Sequence, residues 1–223
     1  MELRTERARY RTEMDEKVPR FDFDALYRGQ SPAPGIPAMA SPPWDTRAPD
    51  DFVIGWHEAG LIRGDVLDVG CGLGDNAIYL VQQGHDVTGL DISPAALSTA
   101  RQRAEDAGVD LKFVVGDATE LAGYSEAFDT VIDCGMYHCL DDNAMRGYLL
   151  ALHRATRSGA RLLLGCFSDD TTVKVKWPRS LSERSLRDGF DGTGWDIATL
   201  EPATLSRDGR PDIALWLVQA DRS

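Results

Sequence analysis

The sequence predicts an α/β protein built on a seven-stranded, mostly parallel sheet with one antiparallel strand and helices on both faces. Short apolar runs alternate with helical patterns of about a dozen residues, which is typical of βαβ units. A glycine-rich turn, LDVGCGLGDNA at 67–77, follows the first of these runs. Two consecutive strand-like runs near the C-terminus require one reversed strand. These three observations together predict an open, doubly wound sheet.

The predicted strands are the apolar runs bounded by polar or glycine residues, at 65–70, 85–91, 111–117, 128–135, 160–167, 195–206 and 212–221. The predicted helices lie between them, at 76–84, 94–107, 142–157 and 182–188. The second helix has the clearest boundaries, because Ser93 is a typical N-cap, Pro94 suits the first helical position and Gly108 follows its end.

A chain of 223 residues is long enough for one domain with a terminal extension. We expect an N-terminal arm and proline-rich segment over 1–50 and one main domain over 51–223. The net charge of −12 disfavours nucleic acid as a partner, since phosphate binding needs a basic surface. No run approaches the roughly 18 apolar residues of a membrane helix, and the charged start lacks a secretory signal. A cytoplasmic protein, monomeric or homodimeric, with a small-molecule substrate is expected.

Six of the eleven prolines lie between Pro32 and Pro49, which excludes regular helix or strand there. Trp44 lies within this segment, and a tryptophan is costly to expose unless it packs on something. The segment is therefore predicted to be a lid over the main domain, with a simple linker as the alternative. Phe21 and Tyr27, which precede it, are candidate contacts for an aromatic substrate.

The glycine turn raises the question of its ligand. A dinucleotide site reads G-x-G-x-x-G, but Asp75 stands where its third glycine would be. A carboxylate there would repel phosphate, and Asp68, just before the turn, adds a second negative charge. The pattern D-x-G-x-G-x-G suits a cationic ligand such as S-adenosylmethionine (SAM), which carries a sulfonium and an ammonium and no phosphate.

Two further carboxylates end the next strands. Asp91, 21 residues after Gly70, can accept both hydroxyls of a ribose, although NAD proteins share this feature. Asp117 in VVGDAT can accept an adenine amine, with the amide of Ala118 serving a ring nitrogen. The alternative for Asp117 is a turn or N-cap role.

The segments VLDVGCGLGDNA, VTGLDIS, VVGDAT and FDTVIDCGMYHCL occur in the order and spacing of a class I SAM-dependent methyltransferase, over about 64–167. With FDALYRG, PPWD and DCGMYHCLDD, the chain most resembles the thiopurine-methyltransferase-like group and, within it, the mycobacterial heterocyclic-toxin (benzoquinone-type) methyltransferases. The resemblance implies a Rossmann-like class I methyltransferase fold and SAM as cofactor, with S-adenosylhomocysteine (SAH) as product.

The resemblance also implies roles for individual residues. Those expected around the cofactor are Trp44, Asp68, Gly70, Cys71, Gly72, Asp75, Asn76, Asp91, Ile92, Asp117, Ala118, Asp133 and Cys134. No metal is expected, because the four cysteines form no C-x-x-C pair and the sequence holds no convincing cluster of ligands.

Methyl transfer to a hydroxyl needs orientation and the removal of one proton. His138, a few residues after the fourth strand, is the candidate base, with a packing or cofactor contact as the alternative. Tyr137 is a candidate to assist catalysis or to stack on a planar substrate. The site after this strand lacks the N/D-P-P-Y/F motif of enzymes that methylate amines in nucleic acids or proteins.

A small aromatic or heterocyclic acceptor is therefore expected, with O-methylation of a phenolic or N-hydroxy group in detoxification or secondary metabolism suggested by the family. The alternatives left open are a thiol, thiopurine or halide methyltransferase of the same fold, an NAD-binding oxidoreductase and a non-catalytic SAM sensor.

Overall fold

The computed structural model describes residues 21–171, 178–207 and 211–223. The predicted arm over 1–20 lies outside them. The chain divides after Asp45 into two compact units. The boundary predicted from the sequence was at residue 50. In the first unit, helix α1 (Phe23–Tyr27) begins at Asp22, whose side chain accepts the Ala25 N–H. The segment from Arg28 to Asp45 forms no regular helix or strand, as its prolines predict.

The second unit carries seven strands and five longer helices in its described residues. The strands are β1 (Asp65–Val69), β2 (Asp86–Asp91), β3 (Lys112–Val115), β4 (Phe128–Cys134), β5 (Thr156–Phe167), β6 (Trp195–Leu205) and β7 (Ile213–Arg222). The helices are α2 (Asp51–Glu58), α3 (Asp75–Gln82), α4 (Pro94–Asp106), α5 (Asp142–Ala155) and α6 (Glu183–Phe190), with a 3₁₀ turn at Tyr137–Cys139.

The sheet has the strand order β3-β2-β1-β4-β5-β7-β6. Strands β1 to β5 pair in parallel, and β7 runs antiparallel to both of its neighbours. This confirms the predicted seven-stranded sheet with one reversed strand. The strand order reverses between β1 and β4, and ligands of such sheets bind beyond the carboxyl ends of the strands at that point.

Apolar side chains alternate between two cores on opposite faces of the sheet, because successive strand residues point to opposite sides. Leu67 belongs to the core that includes Tyr148 of α5, whereas Val66 belongs to the core that includes Val53 of α2. The cores confirm helices on both faces. They also fix β1, which is buried on both sides, as a rigid base for the turn that follows it.

Local signals account for most element boundaries. Ser93 caps α4 by accepting the Ala96 N–H, and Pro94 begins the helix, as predicted. Strand β3 is shorter than predicted, because Asp117 begins the following turn, where its carbonyl accepts the N–H groups of Glu120 and Leu121. Helix α2 was not predicted, because its place depends on burying Val53 and Trp56 and not on a local signal in the sequence.

Candidate active site

The glycine turn between β1 and α3 uses its own amides to hold its shape. The N–H groups of Gly70 and Cys71 both donate to the Leu90 carbonyl, at 2.7 and 3.0 Å, and that of Gly74 donates to the Cys71 carbonyl. The N–H of Gly72 donates to Asp91 Oδ2 at 2.8 Å. A phosphate cradle needs amides that point at the ligand. These four point into the protein, so the turn is poorly equipped for a phosphate.

Gly70 lets the β4 loop approach the turn closely. Its φ of +69° lies in the left-handed region. A Cβ on Gly70 would also lie 2.7 Å from Cβ and Cγ of Met136. The loop after β4 is thereby packed against the first βα turn, at the reversal of strand order.

Asp68 is a buried carboxylate at the base of this turn, with 1% of its surface exposed. Its Oδ2 has no hydrogen-bond partner among the residues that the structure describes. Burial, followed by the charges of Asp133, Asp91 and Asp50, raises its pKa to about 8. An unpartnered buried carboxylate surrounded by other carboxylates is costly unless it meets a cation. The site therefore fits a positively charged ligand group.

Asp91 ends β2 and is nearly buried. Its Oδ2 accepts the Gly72 N–H, and its Oδ1 accepts the Ser93 N–H at 2.8 Å. The next residue, Ile92, is 59% exposed although it is apolar. Strand β2 thus ends in a fixed carboxylate followed by an uncovered apolar side chain, an arrangement suited to a sugar and a flat ring.

Asp117 follows β3 and is exposed. Its Oδ1 accepts both the backbone N–H and the hydroxyl of Thr119, at 2.8 and 2.6 Å. This is the turn role that the sequence left open as an alternative. Ala118 is partly buried against the larger core, so its side chain faces the protein. Neither contact excludes adenine recognition.

Asp75 and Asn76, predicted to face the cofactor, have partners within the protein. Arg103 of α4 forms an ion pair with Asp75, with Nη1 at 2.8 and 2.7 Å from its two carboxylate oxygens. The Oδ1 of Asn76 accepts the Asp50 N–H at 2.9 Å, and its Nδ2 donates to the Asp50 carboxylate. The inference that Asp75 places an uncompensated charge beside the turn needs correction, because Arg103 neutralises it.

Asp133 is also engaged by the protein. It accepts hydrogen bonds from the N–H groups of Gly135, Met136 and Tyr137 and from the Tyr148 hydroxyl. Its pKa is raised to about 6, because burial outweighs these donors. Such a carboxylate fixes the shape of the loop after β4, next to the position where the resemblance places the methionyl group.

Cys134 is the last residue of β4. Burial, followed by the charges of Asp50, Asp68 and Asp133, raises the pKa of its thiol. Burial, with Asp68 next, does the same for Cys71. Both cysteines therefore stay as neutral thiols close to Asp68, and neither is an activated nucleophile.

Tyr137 is a core residue, 1% exposed. Its ring contacts Tyr148 and Phe190 at centroid distances of 6.0 Å, and its hydroxyl lies against Gly189. Burial raises the pKa of its phenol. The predictions that Tyr137 stacks on a substrate or assists catalysis do not fit this placement, because both need an accessible side chain.

His138 is 4% exposed and lies beside the end of β5. Its Nδ1 accepts the Phe167 N–H at 2.8 Å, and its ring packs on that of Phe167 at 4.3 Å. Burial lowers its pKa to about 3. The predicted general base needs a ring nitrogen that takes up a proton near neutral pH. The geometry of His138 does not fit that role, since Nδ1 is engaged and the buried ring resists charging.

Phe21, Tyr27 and Trp44 come together within the N-terminal unit. The indole Nε1 of Trp44 donates to the Tyr27 hydroxyl at 3.0 Å, and their rings meet edge to face. Phe23 links the group, with ring centroids 6.4 Å from Trp44 and 5.0 Å from Phe21. These aromatic side chains therefore pack on one another within the N-terminal unit.

Among the described residues, no three His, Cys, Asp or Glu side chains are grouped so as to hold a metal ion. Within the same residues, no helix combines the length and the apolar composition needed to cross a membrane.

Comparison with known proteins identifies the family. A family model described as a methyltransferase domain matches residues 66–159, which span the glycine turn and the loop after β4. The chain is 32% identical over 189 residues to the 2-heptyl-1-hydroxyquinolin-4(1H)-one methyltransferase of Mycobacteroides abscessus, covering 84% of this chain and 82% of that protein. The chain therefore belongs to the class I SAM-dependent methyltransferases.

Solved structures share the fold of the chain. One, from work on the conversion of a disulfide bond into a thioacetal group during echinomycin biosynthesis, is 36% identical, with a TM-score of 0.79 and 90% of each chain covered. The 1,6-didemethyltoxoflavin-N1-methyltransferase of Burkholderia thailandensis, solved with SAH, has a TM-score of 0.65 at 23% identity, covering 81% of this chain and 80% of that one. The second likeness concerns the fold alone. The cofactor of the chain is SAM.

From the sequence, no role was assigned to three residues near the site: Asp50, Arg207 and Met136. Asp50 lies close enough to raise the pKa of Asp68, and it is held by Asn76 and Arg207. Met136 packs on the glycine turn. Their contacts join residues that are distant in the sequence, so only the folded chain reveals them.

Proposed function

We propose that the chain methylates a small heteroaromatic molecule on the oxygen of a hydroxyl or N-hydroxyl group. The observation that carries this proposal is the 32% identity, over 84% of the chain, to a methyltransferase of a 1-hydroxyquinolinone. The assignment to the heterocyclic-toxin group, and a role in detoxification or secondary metabolism, belong to the same proposal.

We propose the following cofactor contacts. Asp68 binds the ammonium of the methionine part, which would give its unpartnered Oδ2 a donor. The backbone at Gly70, Cys71 and Gly72 lines that part without side-chain obstruction. Bound SAM supplies an electrophilic methyl group on a sulfonium.

The nucleoside half is assigned to the ends of the next two strands. Asp91 accepts the ribose hydroxyls while it holds the turn, and exposed Ile92 covers one adenine face. Asp117 and Ala118 read the adenine edge. Three other residues support these contacts indirectly, by fixing the positions of α3 and of the loop after β4: Asp75, Asn76 and Asp133.

A second candidate function is S-methylation, which includes the thiopurine type of reaction. It is supported by the 36% identity and TM-score of 0.79 to the structure connected with disulfide-to-thioacetal conversion. A thiol is more acidic than a phenol, and its thiolate is a softer nucleophile than a phenolate, so a site in which His138 stays neutral would serve it equally well.

The two functions can be separated by incubating the protein and SAM with matched acceptors. Each hydroxylated acceptor, a 1-hydroxyquinolinone or a phenol, is paired with a thiol analogue of the same ring. Product mass and NMR of the new methyl group identify the methylated atom. We expect kcat/KM to be higher for the oxygen member of each pair. A consistent preference for sulfur would favour the second function, and SAH binding without turnover of any acceptor would contradict both.

A further inference from the structure

The tautomer of His138 is fixed by the backbone. Its Nδ1 accepts the Phe167 N–H at 2.8 Å, so this nitrogen carries no proton. A neutral imidazole that accepts at Nδ1 must carry its proton on Nε2. Nε2 is therefore a hydrogen-bond donor and has no lone pair with which to take up a proton.

The Nε2 group borders the space that a Cβ on Gly135 would occupy. A Cβ built on Gly135 would have Nε2 at 3.4 Å and Cε1 at 3.7 Å, with no other atom within 4 Å outside its chain neighbours among the described residues. Gly135 also has φ of +99°, which favours glycine at this position. The loop that carries this space packs on the glycine turn through Met136. A ligand atom placed above Gly135 would be within reach of the Nε2 proton.

Other proton acceptors on this loop are already engaged or buried. The carboxylate of Asp133 receives four hydrogen bonds. The Tyr137 phenol is packed in the core, and the Cys139 thiol donates to the Gly135 carbonyl at 3.3 Å. The loop therefore presents one donor, and no side chain placed to remove a proton.

We infer that His138 is a fixed, neutral hydrogen-bond donor to the acceptor oxygen, and that the enzyme takes acceptors that are already anionic in solution. This inference rests on the proposed O-methylation. It narrows the substrate class to acidic hydroxyls, such as N-hydroxy heteroaromatics and electron-poor phenols. An oxygen lone pair of the anion forms the new O–C bond while the C–S bond breaks and its electron pair returns to sulfur. No proton is released in that step.

The charged and titratable groups around His138 leave it neutral. Asp133 lies near the end of β4, Cys139 belongs to the same 3₁₀ turn as His138, and Cys166 is on β5. Arg179 donates its backbone N–H to the His138 carbonyl at 3.1 Å. Burial is the cause of the low pKa of the ring, which is about 3. A titration of His138 between pH 5 and 8 is therefore not expected.

The test is the pH dependence of kcat/KM for a series of ring-substituted hydroxyquinolinones and phenols whose own pKa values range from about 5 to 10. Such profiles report groups of the free enzyme and free substrate. SAM is kept saturating, so that Asp68 stays ionised throughout. We expect the acidic limb to move with the acceptor's pKa, by one unit for each unit. A limb at the same pH for every acceptor would overturn the inference.

Two variants separate the donor from the backbone contact. His138→Asn keeps an oxygen that can accept the Phe167 N–H but removes the Nε2 donor. His138→Gln reaches the Nε2 position with an amide N–H. We expect kcat/KM to fall by about tenfold to a hundredfold in the first, as for the loss of a hydrogen bond to a charged group, and less in the second. The acidic limb should stay with the acceptor's pKa in both. An acidic limb that is present in the parent and absent from both variants would identify His138 as a base.

An NMR titration of histidine-labelled protein with SAH tests the same inference without turnover. His138 should show the Nε2–H tautomer and no titration from pH 5 to 8. A protonation step in this range, or the Nδ1–H tautomer, would overturn the inference. Failure of every acceptor to react would instead count against the proposed function.

Discussion

The carboxylate of Asp91 accepts the N–H of Gly72 at 2.8 Å and so joins the tip of β2 to the turn after β1. Its other oxygen accepts the Ser93 N–H, where α4 begins. One side chain therefore fixes two chain segments that border the cofactor site. A ribose bound by the same carboxylate would be positioned by both.

Replacing Asp91 with alanine is expected to weaken SAH binding by about tenfold to a hundredfold. Charge-assisted hydrogen bonds contribute roughly 1.5–3 kcal/mol each, and the glycine turn would also lose its anchor. Isothermal titration calorimetry measures the change. Asp86→Ala, at the exposed start of the same strand, is the matched control and should leave the Kd unchanged. If both variants bound SAH as tightly as the parent, Asp91 would not be a cofactor-binding residue.

Gly70→Ala is expected to lower both stability and cofactor affinity. The new Cβ would lie 2.7 Å from Met136 Cβ, and the left-handed backbone adds strain of about 1–2 kcal/mol. Gly84→Ala is the control for strain alone, because Gly84 has φ of +91° and nothing within 4 Å of its Cβ position.

Urea denaturation should therefore give a larger loss for Gly70→Ala than for Gly84→Ala. Adding Met136→Gly should restore part of the difference, whereas Met136→Ala should not, because it keeps the clashing Cβ. Equal losses at the two glycines would show that the close approach of the β4 loop is unimportant.

The sheet and most helix boundaries follow from local signals in the sequence. Ser93 and Pro94 start α4 through a side-chain cap and a fixed φ, and both act within one turn of the chain. The glycine turn could likewise be located from residues that are adjacent in the sequence, its three spaced glycines. Helix α2 was missed because its stability depends on burying Val53 and Trp56 against the sheet.

The roles of side chains after β4 could not be predicted in the same way. The sequence predicts Asp133, Tyr137 and His138 near the carboxyl end of β4, and the structure places them there. Whether each faces a ligand or the protein depends on Tyr148 and Phe167, which belong to other elements. Likewise, the charge of Asp75 is compensated by Arg103, which lies 28 residues away in the sequence. Contacts at such separations leave no periodic pattern.

The prediction that the N-terminal segment is a lid leads to a binding experiment. Removing residues 1–43 together with Trp44→Ala should raise the Kd of SAH by at least about threefold, since a lost aromatic contact costs roughly 0.5–1.5 kcal/mol. Tyr27→Phe is the milder control, because it keeps the ring and removes the hydroxyl that accepts the hydrogen bond from Trp44 Nε1. An unchanged Kd after the deletion would support the alternative of a linker.

Asp68 should make both stability and cofactor binding depend on pH. Its folded-state pKa of about 8 lies above the ordinary value of 3.8. The folded protein therefore holds a proton that the unfolded chain releases. The stabilisation is complete below pH 3.8 and is lost as pH rises through about 8, by at most about 1.4 kcal/mol per pH unit.

Urea denaturation of the ligand-free protein at pH 5.5, 6.5 and 7.5 measures this slope. Asp68→Asn keeps an oxygen for the Ala77 N–H and cannot ionise, so its stability should fall less over this range than that of the parent. Asp133, whose pKa is also raised, is present in both proteins, so the difference between the two slopes reports Asp68 together with its interaction with Asp133. Parallel slopes would show that Asp68 is already ionised in the folded state.

The affinity for SAH should rise over the same range, because the ammonium group favours the ionised form of Asp68. The increase should not exceed about tenfold per pH unit. Adenosine, which lacks the ammonium, is the matched ligand and should bind with an affinity that does not change with pH. In Asp68→Asn the pH dependence for SAH should disappear. If SAH and adenosine respond to pH alike in the parent, Asp68 does not bind the ammonium.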